Sequence, residues 1–261
     1  MANTVEISRD SRGVATLTLA RGDKHNALSA EMIEELHAAA EALGSDPVVR
    51  VVILAAQGKS FCAGGDLRWM QAQMNADAAG RAAAAGALAG MLQALNTLPK
   101  PLIGRIHGNA FGGGVGLACV CDVAIGAEGA RFGLTETRLG LIPATIGPHV
   151  IARIGAAAAR RVFFSPRLFD SGEAAHLGVL ARSVPGDALD AAVEQEVAPY
   201  LSAAPGAVAE AKALTQRLGP QVDEAMIEAS IDALTRRWES DEARDGIAAF
   251  FDKRDPPWAP K

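Results

Sequence analysis

Three short stretches hold residue types that could do chemistry together. The first is Gly64-Gly65 in FCAGGD, after an apolar run and a polar turn. A missing Cβ there lets the backbone approach a ligand closely, although the same pair also suits a tight turn. The second is Gly112-Gly113-Gly114, leading into VGLACVCD. A helix starting at that point presents unpaired N–H groups at its positive end and could stabilise an oxyanion; close helix–sheet packing is the other use of such glycines. The third is Glu136 in FGLTETRLGLIP, a carboxylate in an otherwise apolar, glycine-rich stretch. Enclosed, its pKa would rise toward a range useful for proton transfer; on the surface it would be an ordinary charge. No GK[ST] follows either glycine cluster, which removes a P-loop, and GNAFGGGVG has neither the spacing nor the later acidic residue of a dinucleotide fold.

The elements that must hold these stretches are legible in the hydrophobic pattern. Val14 to Leu19 alternates as a strand with one face on a core and is expected to open the sheet. SAEMIEELHAAAEAL starts with an N-cap serine, Ser29, carries acids in its first turn and repeats Met32, Ile33, Leu36 and Leu43 at helical spacing. The β-branched run from Val48 to Leu54 reads as a buried strand, so strand, helix and strand form a crossover unit. Alanine favours helix from Ala78 to Leu98, weakened by Gly80, Gly86 and Gly90 and ended by Pro99 and Pro101. The strand LIGRI follows, then the triple glycine with a loop, a helix start and another strand, then strand-like ARFGLTE. Pro143 suits the first turn of the next helix. Gly172 to Val184 reads as a helix with a short strand after it, and beyond Pro199 the pattern is helical from Ala207 to Leu218 and from Gln221 to Trp238. The tail GIAAFFDKRDPPWAP reads as a helical appendage and an oligomer surface.

A chain of 261 residues fits one large α/β domain with a sizeable core. Lys and Arg number 25 against 30 Asp and Glu, so no net positive field gathers nucleic acid, and one Tyr with three Trp leave few platforms for stacking bases. No apolar run approaches bilayer length free of charge, and MANTVEISRD has no leader pattern, so a cytoplasmic protein without a membrane partner is expected. Cys62, Cys119 and Cys121 form no CxxC and read as small buried thiols; the five histidines have no ligand spacing, so no metal is expected.

Taken together, FCAGGDL, GNAFGGGVGLACVCD, FGLTETRLGLIP and the terminal AAFFDKR, in this order and spacing, resemble the enoyl-CoA hydratase/isomerase or crotonase family over nearly the whole chain, from RGDKHNALS onward. The resemblance implies a spiral of βαβ turns (residues 1–199) with a helical C-terminal region (200–261) that packs into trimers, often paired as hexamers. It implies an acyl-CoA substrate, with coenzyme A entering as part of that substrate and no separate cofactor. By the motif match, the backbone N–H groups of Gly65 and Gly113 face the thioester carbonyl and Glu136 is the catalytic acid–base group. Coenzyme contacts fall on Lys24, Ala63, Asp66, Leu67 and Arg68, with Phe250 and Lys253 near the tail reaching a neighbouring subunit. Asp66 is expected to hold the loop as backbone support, since an acid beside phosphates would oppose them.

One position departs from the resemblance. Family hydratases usually carry a second glutamate two residues after the triple glycine, where this chain has Gly116. One carboxylate suffices for double-bond isomerisation, or it could orient water and deliver its proton to the α-carbon while the emptied space holds solvent. Ala144, Thr145 and Ile146 stand where the family usually has glycines. In this respect the chain looks like the methylglutaconyl-CoA hydratases of bacterial leucine and isoprenoid catabolism. A lost like charge at 116 would then favour a carboxylated acyl chain, with Arg138 or His149 as candidate partners of the distal carboxylate. Hydration of an α,β-unsaturated acyl-CoA is therefore the expected reaction. A single-glutamate isomerase or a non-catalytic acyl-CoA binder is the alternative.

Overall fold

The computed structural model describes residues 3–260. In chain order the elements are β1 (Val5–Arg9), β2 (Val14–Leu19), α1 (Ala30–Ser45), β3 (Val51–Ala56), β4 (Ser60–Cys62), α2 (Leu67–Asn75) and α3 (Ala78–Asn96). Then come β5 (Leu102–Ile106), β6 (Asn109–Phe111), α4 (Gly113–Val120), β7 (Val123–Ala127), β8 (Arg131–Gly133) and α5 (Gly147–Phe163). The chain closes with β9 (Phe169–Asp170), α6 (Ser171–Leu177), β10 (Arg182–Val184), α7 (Leu189–Leu201), α8 (Pro205–Leu218), α9 (Glu224–Trp238) and α10 (Asp241–Phe251).

The strands fall into two sheets, ordered β1-β2-β3-β5-β7-β10 and β4-β6-β8-β9. Apart from the antiparallel β1–β2 and β8–β9 pairs, all pairings are parallel. Each turn of the spiral gives one strand to the large sheet and the next to the small one, then crosses back through helix: β3, β4 and α2–α3; β5, β6 and α4; β7, β8 and α5. Successive turns bring β4, β6 and β8 side by side with their C-terminal ends close together.

Strand alternation divides the core. Val52, Leu54, Leu102 and Ala124 face a large cluster with α1, α3 and α4, while Val51, Ile103 and Ile125 face the opposite side, covered by Leu189, Ala192, Val193 and Val197 of α7. Val14–Leu19, the Ser29 cap of α1 and the strand Leu102–Ile106 agree with the sequence pattern. Other expectations are corrected. The large sheet opens with β1, whose polar residues hide its pairing with β2. The second strand runs from Val51 rather than Val48, because Asp46 accepts from the Val48 N–H and holds that part in a turn. Pro143 lies in a loop, and Pro148 occupies the first turn of α5. Position 199 lies inside α7, so the boundary at 199–200 cuts a helix, and the next helix begins at Pro205.

The C-terminal helices fold back onto this chain's own core. Trp238, Ala243 and Ile247 are buried with Leu141, and Met74 and Leu139 pack against them. Lys212 of α8 is tied to Asp122 at 2.7 Å and to the Lys100 carbonyl at 3.1 Å. No helix among the described residues is long and apolar enough to cross a membrane.

Candidate active site

The three stretches singled out above are the segments that leave β4, β6 and β8. Cys62 pairs with Ala110, Ala110 with Phe132, and Phe111 with Gly133. The loops beyond therefore emerge together at the carboxyl edge of one parallel sheet, the usual place for ligands in such architectures.

After β4 the chain is strapped to the segment before α1. Ala63 N–H donates to the His25 carbonyl (3.0 Å), Leu28 N–H to the Gly64 carbonyl (2.7 Å) and Asp66 N–H to the Leu28 carbonyl (3.0 Å). Gly64 has φ +91°, and a Cβ there would press on the Phe111 carbonyl oxygen. Gly65 N–H is left without a backbone acceptor among the described residues. After β6, Gly112 turns the chain at φ 48°, ψ −113°, with its N–H held by the Gly133 carbonyl at 2.9 Å. Gly113 is the first residue of α4, so its N–H lies among the donors that a helix start leaves unpaired. A Cβ on Gly113 would stand 3.9 Å from the Gly64 Cα, which brings the two loops into contact.

Glu136 begins a 3-10 turn, Glu136–Leu139, after β8. Its Oε1 lies 2.9 Å from where a Cβ on Gly112 would be. Oε2 is buried without a hydrogen-bond partner, although the residue as a whole keeps partial exposure. Burial pushes its pKa up to about 7, against a smaller lowering by its own backbone N–H. An acid that changes charge near neutral pH thus stands beside the first turn of α4.

The turn that carries Glu136 is fixed by residues the sequence pattern did not single out. Gly140 caps it at φ 71°, and its carbonyl accepts Arg237 Nε (3.0 Å) and Nη2 (2.5 Å) from α9. Arg237 also pairs with Glu242 at 2.7 Å. A Cβ on Gly246 of α10 would meet the Leu139 carbonyl at 2.6 Å, so helix and turn touch through backbone. Only the positions of Gly140 and Gly246 hinted at this approach, and neither stands out by periodicity.

Gly116 corrects an expectation. The space beside it is not vacant: Ile146 places Cγ2 at 2.6 Å and Cβ at 3.0 Å from a Cβ built there, with Leu92 Cδ2 at 3.7 Å. The two departures at 116 and 146 form one packed contact. A methyl wall, rather than solvent, fills the place expected to be empty.

The remaining candidates divide by role. Asp66 is buried, caps α2 through the Arg68 N–H (2.8 Å) and Trp69 N–H (3.4 Å), and pairs with Arg21 at 2.9 Å. Its burial would raise the carboxyl pKa, but these hydrogen bonds and the Arg21 charge lower it overall. Ala63 is half-buried, whereas Leu67 and Arg68 are exposed on the first turn of α2 beside Gly65. Lys24 is exposed, 3.7 Å from Asp23. Phe250 is exposed at the end of α10, edge-on to Phe251, and Lys253 follows it at φ 54°. Arg138 is exposed within the Glu136 turn. His149 is buried with both ring nitrogens unpartnered, and burial lowers its pKa to about 4. It is therefore neutral at neutral pH in the absence of a facing carboxylate, unlike the permanently charged Arg138. Burial pushes all three cysteine thiols up to about 12.

The whole arrangement has counterparts among known proteins. A family model described as enoyl-CoA hydratase/isomerase matches residues 9–261. Methylglutaconyl-CoA hydratase, mitochondrial, of Mus musculus is 33% identical over 257 residues, 96% of this chain and 81% of that protein. Among solved structures, an enoyl-CoA hydratase from Shewanella pealeana ATCC 700345 is 37% identical with a TM-score of 0.80, covering 98% of this chain and 96% of its own. One from Mycobacterium avium is 32% identical with a TM-score of 0.85, covering 99% and 100%. The spiral with its three aligned loops is thus a shared architecture over the full length, and the chain belongs to the enoyl-CoA hydratase/isomerase family.

Proposed function

We propose that this protein is an enoyl-CoA hydratase, adding water across the α,β-double bond of an acyl-CoA thioester. The observation that carries this is one buried, unpartnered carboxyl, Glu136, beside the Gly112–Gly113 turn, which itself stands against Gly64, next to the Gly65 N–H that has no backbone acceptor among the described residues. The thioester oxygen accepts from both amides. Water oxygen bonds to the β-carbon, the π pair moves toward the α-carbon and the carbonyl oxygen, and the ionised Glu136 carboxylate takes the water's proton. It then returns that proton to the α-carbon as the enolate collapses. One group performs both transfers in turn, and each fixed amide donor supplies about 2.7–4 kcal/mol of transition-state stabilisation. Coenzyme A arrives with the substrate, and Lys24 and Arg68 are the exposed cations for its phosphates.

The names of the relatives support hydration over isomerisation. The Gly116–Ile146 contact supports the second reading, an isomerase, because it leaves a single proton carrier, which is enough to move a proton between allylic carbons. For the finer substrate class, likeness to a methylglutaconyl-CoA hydratase and the absence of a second acid at 116 favour a short, branched, carboxylated acyl group. Arg138 is its candidate counter-ion. A homo-oligomer, trimer or hexamer, is favoured by α8, which has no buried residue and exposes Leu214 and Leu218. Assays with crotonyl-CoA, 3-methylglutaconyl-CoA and a 3-enoyl-CoA, following water addition and double-bond migration separately, test these readings. Hydration of the first two supports them, migration alone favours the isomerase, and binding without turnover favours a non-catalytic binder.

A further inference from the structure

Along α4, the level at which Ile146 packs, that of Gly116, lies between two spaces. On one side is the turn of α4 that starts at Gly113, next to Glu136. On the other is a cleft of about 570 Å³ whose lining includes Cys119 and Val120 of α4, His149 and Ala152 of α5, and Gln93 of α3. His149 is one helical turn beyond Ile146, and Cys119 one turn beyond Gly116, so the cleft continues the same α4–α5 contact. Arg153, Asp122 and Gln216 on its wall are hydrogen-bonded, while both ring nitrogens of His149 and Oε1 of Gln93 are buried without partners. At the level of Gly116 the contact is closed by Ile146, with Leu92 beside it.

We propose that Ile146 sets the length of the acyl chain by walling the acyl site off from this cleft. The inference rests on the reaction assigned above. An acyl group held by its carbonyl at Gly113 and running along α4 meets the Ile146 methyl after the rise of three helical residues, about 4.5 Å, which is room for a short chain of roughly four to five carbons. Longer chains must displace a buried side chain that touches α4 backbone. Removing that side chain opens the way to the cleft behind it. Each methylene lodged in an apolar site is worth about 10- to 200-fold in discrimination, so the effect is measurable.

The test is kcat/KM on trans-2-enoyl-CoA thioesters of four, eight and twelve carbons, together with calorimetric affinities for butyryl-CoA and octanoyl-CoA. The wild type is expected to favour the four-carbon substrate over the eight-carbon one by about tenfold or more. Ile146→Ala is expected to raise the eight-to-four ratio by about tenfold. Ala152→Phe, which narrows the cleft from its half-buried wall, is expected to reduce that gain when added to Ile146→Ala. A wild-type ratio near one, an unchanged ratio in Ile146→Ala, or a gain that Ala152→Phe leaves undiminished would each overturn the inference. Should Ile146→Ala not fold, Ile146→Val is expected to move the ratio the same way by a few-fold, and no movement overturns it. Absence of hydration at every length would defeat the assigned reaction, while the two affinities would still read the wall.

Discussion

The Glu136 carboxyl and the Gly112 backbone occupy adjoining space, with Oε1 2.9 Å from the position a Cβ on residue 112 would take. The carboxyl and the Gly112–Gly113 turn are thereby set against each other by a residue that has no side chain. Gly112→Ala introduces a methyl at φ 48° and drives it against Oε1, so two penalties coincide. We expect kcat to fall by about 100-fold, the order seen when catalytic groups are displaced by an ångström, with the protein still folded by circular dichroism. Activity near wild type would show that the carboxyl does not depend on this contact.

A carboxyl whose pKa is raised from 4.5 to about 7 makes both activity and stability depend on pH. Hydration requires the ionised base, so kcat/KM should fall as pH drops through about 7. For stability the folded state holds the proton more tightly than the unfolded chain. The contribution is fully present below pH 4.5 and is lost as pH rises through about 7. Urea melts of wild type and Glu136→Gln across this window should converge at low pH and separate above it, the glutamine variant becoming relatively more stable. Parallel pH curves would place the carboxyl in solvent.

Ile146 and Gly116 are coupled, since a Cβ added at residue 116 would lie 2.6 Å from Ile146 Cγ2. Gly116→Glu alone must seat a carboxyl in space already filled, with an overpacking cost of about 1–3 kcal/mol besides the burial of a charge. Adding Ile146→Gly vacates that space. The double variant is expected to melt above the sum of the two single effects, with a coupling of about 0.5–3 kcal/mol. Additive melting temperatures would mean that the two positions do not compete for volume.

Much of this site is legible in the sequence because its parts are local. The glycines at 64, 65, 112 and 113 precede or open helices, and their turns are written in adjacent residues. What the sequence hides is contact over distance. Ile146 and Gly116 stand out separately as departures from the family pattern, and only packing joins them into one wall. Arg237 lies about a hundred positions from the Gly140 carbonyl it holds, and its helix looks like an ordinary charged surface. The strands β4 and β6 have three residues each, too short for any periodicity, although their alignment brings the Gly64–Gly65 and Gly112–Gly113 turns together.

Arg237 holds the Glu136 turn from α9 without reaching the reacting atoms. Arg237→Ala leaves the Gly140 carbonyl without its guanidinium donors and loosens the turn. We expect a stability loss of about 1–3 kcal/mol, from a charge-assisted hydrogen bond, and a lower kcat. Because the site loses order rather than its acid, the midpoint of the pH profile should move. An Arg237→Ala enzyme that is less stable but has unchanged kcat and pH midpoint would limit the residue to a purely structural role.

The most direct test compares wild type and Glu136→Gln with crotonyl-CoA, measuring water addition by mass while following coenzyme binding in the same samples. The account predicts loss of hydration by about 100- to 10,000-fold in the variant with binding essentially retained. Hydration by Glu136→Gln at the wild-type rate would contradict it.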